Sequence, residues 1–223
     1  MLVPLELPVA RAPLAFREFL VNVVQLMQNV YIRGDFYLYR GAFLPGTYTC
    51  YFNGVTQSVG GYAPLTFYGW NIASGATVTL NQHATLLGGF FNDGTFICSS
   101  PYRVTFGGSI AQVLNGSTGI YRFWHVRWNN PVSVTLDRDI EVLGDWTNDQ
   151  GFVANTHLVT FKGTAMQYIG GSISTVFHHL TIENGATVQL NRTISLLGNW
   201  VNHGSFLHNS LLVLFNGTVL QTI

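Results

Sequence analysis

The chain has 223 residues, of which 9% are charged, ten basic residues balancing ten acidic ones, where a typical soluble domain carries about 25%. No basic field exists to hold nucleic acid or an anionic membrane surface, and no apolar run approaches the ~18 residues that a bilayer-spanning helix needs, so neither nucleic-acid binding nor membrane insertion is expected. A neutral surface with a single lysine, Lys162, favours association over colloidal repulsion.

Residues 1–28 are rich in leucine and valine, but Pro4, Pro8, Pro13, Glu6 and Glu18 interrupt them and no basic n-region of a signal peptide precedes them. Either an export signal lies outside this sequence or none is used. Residues 1–15 match nothing else in the chain and read as an arm with little structure of its own.

From residue 16 a register takes over. Phe52, Phe106, Phe161 and Phe215 follow one another at a nearly constant step of about 54 residues, and Gln57, Gln112, Gln167 and Gln221 keep the same step. An aromatic after a turn recurs as Phe36, Phe90, Trp146 and Trp200, and Gly-Ala-Thr-Val occurs twice, at Gly75 and Gly185. A register kept over four copies marks a repeat architecture. The approximate units are 16–66, 67–122, 123–176 and 177–223, forming a single domain. Phe52, Phe106, Phe161, Trp146 and Trp200 are the expected core.

Within each unit apolar residues alternate over short runs, as in Val159/Phe161, Val188/Leu190 and Ile194/Leu196, punctuated by glycine, asparagine and serine. That is the pattern of short half-buried strands, with no helical period. Six strands per unit predict two three-stranded coils of about 27 residues, eight coils in all and a rod roughly 40 Å long at the strand spacing of about 4.8 Å. The fold class is all-β, a parallel β-helix, right-handed by the usual hand of parallel crossovers.

The run Val-x-Phe-x-Gly-x(3)-Gln-x-Ile-x-Gly, followed by Phe-x-x-Leu-x-Ile, Gly-x-x-Val-x-Leu and Ile-x-Leu-x-Gly-x-Trp, resembles the repetitive β-helical segments of large surface proteins and adhesins of Bacteroidota, often exported by the type IX route. The resemblance covers residues 12–223 and implies an extracellular or cell-surface setting. No sorting domain of the long secreted members is recognisable here.

Candidate chemistry is sparse. The four glutamines read as side chains satisfying backbone at a turn, because buried polar groups need partners; Asn92, Asn148 and Asn202 read likewise, asparagine tolerating the left-handed backbone of corners. Asp137, Asp139, Glu141, Asp145 and Asp149 gather half of the acids into the short stretch 137–149, a solvated outer face, with calcium ligation or glycan-cleaving carboxylates as alternatives. His178 and His179 are adjacent, with His157, His203 and His208 in the same unit. Alternation should send the adjacent pair to opposite faces, which argues against a shared zinc ion. Cys50 and Cys98 could pair across coils or stay as buried thiols. Three N-glycosylation sequons, at Asn115, Asn191 and Asn216, are at the level of chance. No Ser/His/Asp order, phosphate loop or Cys-x-x-Cys is present, so no enzyme activity, metal or cofactor is expected.

Neither end carries a polar cap of the kind solenoids use against edge-to-edge growth. The last residues, Gln221-Thr222-Ile223, parallel Gln167-Tyr168-Ile169, and the element that would follow is the one with which the register starts, Phe16-x-x-Phe19-x-Val21. The expectation is a structural subunit that polymerises head to tail into an extracellular filament, with Phe16, Phe19, Val21, Phe215, Gln221 and Ile223 at the joint and the chain itself as its partner. The alternatives are a spacer or adhesive segment of a larger surface adhesin, or a β-helix that binds or cleaves glycans. In that last case surface glycans would stack on Tyr37, Tyr39, Tyr68 or Trp128.

Overall fold

The computed structural model describes residues 14–15 and 23–223, and these build a parallel β-solenoid without a helix. Three strands make one turn. On the first face lie Leu14–Ala15, Phe36–Leu38, Thr56–Gly61, Thr77–Leu80, Thr95–Cys98, Ile120–Phe123, Ile140–Val142, Leu158–Phe161, His179–Ile182 and Trp200–Asn202, ten strands in parallel register. The second face carries Val23–Gln25, Ala42–Leu44, Leu65–Phe67, Ala84–Leu86, Arg103–Phe106, residues 125–128 and 146–148, Met166–Gly170, Thr187–Leu190 and Ser205–Leu207. The third carries Val30–Ile32, Thr49–Phe52, Gly69–Ile72, Phe90–Asn92, Gln112–Asn115, residues 134–136 and 152–153, Thr175–Phe177, Ile194–Leu196 and Val213–Phe215. Two long strands, His125–Leu136 and Trp146–Val153, run around a corner and serve two faces each.

The turn is shorter than the sequence repeat suggests. On the first face Val59 lies beside Phe36, Leu80 beside Val59, and Cys98 beside Leu80. Further along, Glu141 lies beside Arg122, Thr160 beside Glu141 and Thr181 beside Thr160. Each of these steps is one turn, and each takes about 20 residues. The predicted two coils per repeat, and the rod of eight coils, are therefore corrected. Ten strands stand on the first face, a column about 43 Å long at the strand spacing.

Eight strands separate equivalent residues. After Thr49–Phe52 come Thr56–Gly61, Leu65–Phe67, Gly69–Ile72, Thr77–Leu80, Ala84–Leu86, Phe90–Asn92, Thr95–Cys98 and Arg103–Phe106. Eight strands are two and two-thirds turns, one face short of three, so each copy of the repeat starts one face back. Phe52 sits on the third face, Phe106 on the second, Phe161 on the first and Phe215 on the third again. The half-unit overlay of Val159 on Val188 fails for the same reason: Val159 pairs with Ile140 and Leu180, and Val188 with Gln167 and Phe206.

Alternate residues point inward and form one sealed core. Its axis is aromatic. Phe52 packs on Trp70 at 5.0 Å between ring centres, Trp70 on Phe90 at 5.5 Å, and Phe90 on Tyr121 at 4.8 Å; further along, Trp128 lies on Trp146 at 5.0 Å and Trp146 on Phe177 at 4.9 Å. Phe52, Phe106, Phe161 and Trp146 are buried, whereas Trp200, in the last coil, is only partly covered. The recurrent Gly-Ala-Thr-Val marks one corner type: Gly75 and Gly185 take φ of +78° and +84°, which a Cβ disfavours.

The Trp146 side chain packs on Trp128, Phe152 and Phe177 and donates from Nε1 to the Thr175 hydroxyl at 3.0 Å. Trp146→Ala should lower the unfolding free energy by about 3–5 kcal/mol, read from the urea midpoint.

Candidate functional site

A parallel solenoid must turn a corner about every seven residues, and each corner frees backbone groups that a strand would have paired. Four of these corners are closed by the repeated glutamine. Gln167 Nε2 donates to the carbonyls of Val142 and Gly144 on the turn before, at 3.0 and 2.9 Å, while its Oε1 accepts the Gly163 N–H at 2.8 Å. Gln57 does the same with Ile32, Gly34 and Gly54; Gln112 with Leu86, Gly88 and Gly108; Gln221 with Leu196, Gly198 and Gly217. The glycine is obligatory in this clasp, because a Cβ on Gly163 would overlap the Leu143 carbonyl oxygen. Glycine recurs in step with glutamine for that reason, which explains the glycine of the run Val-x-Phe-x-Gly-x(3)-Gln.

A second brace joins the same corners. The side-chain oxygens of Asp35, Asp145 and Asn199 accept the N–H of the residue after the glutamine, Ser58 at 2.7 Å, Tyr168 at 3.0 Å and Thr222 at 3.0 Å. The acidic group is divided among braces: Asp137 and Asp139 both face His157 and line one hollow with Glu141, while Asp145 and Asp149 serve other corners. Asp139 accepts the Leu158 N–H at 2.9 Å and faces His157; Glu141 lies between Arg122 at 2.7 Å and Lys162 at 2.8 Å; Asp149 accepts from Ser172 and pairs with Arg127 at 2.6 Å. Burial alone would raise the Glu141 carboxyl, but Lys162 and Arg122 outweigh it and hold the group below its usual range. Asp149 behaves alike: burial opposes ionisation, and the Ser172 and Arg127 hydrogen bonds prevail. Among the described residues no three His, Cys, Asp or Glu side chains gather into a metal-binding group.

The asparagines satisfy backbone, but not by adopting left-handed corners. Asn92 and Asn148 point inward and donate to the carbonyls of Ile120 and Ser174, at 2.9 and 3.2 Å. Asn202 accepts the Gly204 N–H at 3.1 Å, as Asn92 accepts that of Gly94 at 3.0 Å. Among the described residues the non-glycine positions with positive φ are Asn155, Asn209 and Ser210. His178 and His179 do not diverge: a corner falls between them, alternation lapses, and their rings meet at 4.3 Å against Gly198. Trp128 is buried, unlike the exposed sugar platform expected of it, while Tyr37 and Tyr39 stack outside at 5.7 Å with Tyr62 beside them. Cys50 and Cys98 are free and buried, on different faces, and burial pushes both thiols up to about 12.

Three histidines act as neutral acceptors between turns. Nδ1 of His83, His125 and His179 takes the N–H of Arg103, Asp145 and Asn199 at 3.1, 2.8 and 2.9 Å. At His125 the Asp145 carboxylate also lies 3.4 Å from Nδ1, but that contact is an ion pair only after protonation, which would cost the shorter backbone bond. Burial lowers the His125 pKa, with Arg103 and His83 adding to it and Asp145 opposing.

Of the predicted joint, Phe16, Phe19 and Val21 lie outside the described residues, as does the arm apart from Leu14–Ala15, which pairs with Phe36 and Tyr37. Phe215 and Ile223 are 39% and 80% exposed, and Gln221 is engaged in its clasp. No family model, curated protein or solved structure matches this chain.

Gln167→Leu strands one buried donor and two carbonyls and should cost about 2–3 kcal/mol, while Gln221→Leu, in the open last coil, should cost under about 1 kcal/mol; paired urea titrations measure both. Because the folded pKa of His125 is depressed, its contribution to stability is complete above the ordinary value near 6.5 and is lost as pH falls through the folded value. The urea midpoint should therefore drop as pH falls below about 6.5, and a flat profile would refute the acceptor role.

Proposed function

We propose that the chain is a structural rod that assembles end to end into an extracellular filament or surface fibre. One observation carries this reading. The coil formed by Trp200–Asn202, Ser205–Leu207 and Val213–Phe215 stands in register with the inward columns, Trp200 on Leu180, Phe206 on Val188 and Phe215 on Leu196. Its core residues are nevertheless partly open to solvent, Trp200, Phe206 and Phe215 among them. Each coil is thus an interior cross-section of the rod on which a coil of the same kind can stack in register; on the first face the chain itself does so, the Thr222 carbonyl accepting the Trp200 N–H at 2.9 Å.

The braces between turns support the same role. The glutamine, Asx and histidine groups described above tie corners to the adjacent turn, which suits a column that must resist bending. The alternative use of the same open coil is as a joint within a longer array, the spacer segment of a large adhesin, where the covering coil belongs to the same polypeptide. End-to-end growth separates the two. Negative-stain microscopy of the purified chain should show unbranched fibres that lengthen with concentration, and Phe215→Glu and Ile223→Glu should each return single rods with an unchanged circular dichroism spectrum. Wild-type rods of constant length would refute axial assembly.

A further inference from the structure

The three faces differ in charge. Arg122 and Glu141 stand on the first, and Arg103 and Arg127 on the second. The third-face strands hold no Asp, Glu, Lys or Arg from Val30 to Phe215. One outward residue from each strand gives Tyr31, Tyr51, Asn71, Phe91, Val113, Thr135, Val153, Val176, Ser195 and Leu214; Gln112–Asn115 has two, Val113 in line with Thr135 and Asn115 in line with Phe91. Six of the ten are large apolar or aromatic groups between 36% and 55% exposed: Tyr31, Phe91, Val113, Val153, Val176 and Leu214.

We propose that this face is a lateral interface that takes a second copy of the chain, the two rods lying antiparallel with their third faces together. Extent is the first argument. A flat column of ten strands about 43 Å long and about 10 Å wide offers roughly 430 Å² of plane on each partner, and two such faces cover roughly 860 Å² before side-chain relief adds to it, close to the ~1,000 Å² that a specific interface needs. Absence of charge is the second, since the centres of protein interfaces are depleted of charged residues.

Size matching is the third, and it selects the direction. The bulky outward residues are at one end, in Tyr31, Tyr51 and Phe91, and the smaller ones at the other. An antiparallel two-fold sets Tyr31 opposite Leu214, Tyr51 opposite Ser195, Asn71 opposite Val176, Phe91 opposite Val153, and Val113 opposite Thr135. No tyrosine meets a tyrosine, and Tyr51 meets the small Ser195, so the two sheets keep a more even separation of about 10 Å than a parallel pair would allow. A parallel pair would set Tyr on Tyr at one end and Ser on Ser at another, and the gap would taper. The interface is separate from the end-to-end contact and does not depend on it.

The test uses the full chain carrying Phe215→Glu, so that axial growth is blocked whether or not it occurs. Sedimentation equilibrium at tens of micromolar should give a dimer. Val153→Lys and Phe91→Lys should each give a monomer with an unchanged circular dichroism spectrum, while Thr85→Lys, outward on the second face, should leave the dimer intact. Spin labels on Ser195→Cys, with Cys50 and Cys98 buried and unlabelled, should report about 34 Å between copies, seven strand spacings.

A monomer at these concentrations, or a dimer indifferent to Val153→Lys, would overturn the interface; a label distance of about 10–15 Å, the sheet-to-sheet separation plus the labels, would overturn its direction. A monomer that instead sediments with an insoluble uncharged glucan would assign the face to polysaccharide and overturn the proposal. Fibres that persist in Val153→Lys and vanish in Phe215→Glu would show that the axial contact stands apart from the lateral one.

Discussion

Everything in this structure hangs on the hydrogen-bonded step from one turn to the next. Parallel strands on three faces stack in register, so each turn pairs with its neighbours and almost nothing else. That step keeps each side to a few paired residues, as in Thr77–Leu80 on Thr95–Cys98, and holds the turn near about 20 residues. It also creates the recurring problem of the corner, where backbone leaves the ladder. The glutamine clasp, the Asx brace and the histidine acceptor are three answers to that one problem, and all three reach to the turn before or after.

The relation between repeat and turn follows from the same constraint. A sequence unit of eight strands on a three-sided rod falls one face short of three turns and so places each copy one face back. No face can therefore keep a uniform character by repetition alone: each draws its residues from every part of the unit in succession. The lack of charge on the third face and the ion pairs of the first and second, Arg122 with Glu141 and Arg127 with Asp149, come from residues outside the repeated core. The inside is set by the repeat, whereas the outside is free to differ.

An inside built this way looks the same at every cross-section. Residues that are sealed in the middle, such as Trp146, have an open counterpart in Trp200. The lateral contact proposed above uses a surface that a rod of this kind exposes by geometry, along its uncharged side. The polar side chains of the outer surface, in contrast, are largely used in holding turns together. The acidic group illustrates this: Asp139, Asp145 and Asp149 each accept a backbone N–H from the following turn, and Glu141 bridges Arg122 and Lys162 on the turns to either side.

The sequence by itself determined the class of fold and the identity of the core. Alternation with period two needs only local backbone geometry, and the return of Phe52, Phe106, Phe161 and Phe215 at a fixed step needs only counting. It also carried the clasp, in the pairing of each glutamine with a glycine a few residues before it, although the reason for that glycine is a carbonyl on another turn. Only the tertiary structure decided how many residues make a turn, because strand pairing is a long-range choice: Val159 fits Leu180 as well as Val188 by type, and the corners between them decide. It also decided which polar residues meet. Asp145 and His125 are 20 residues apart in the chain and share a backbone bond, a contact that exists because one turn of this rod happens to have that length.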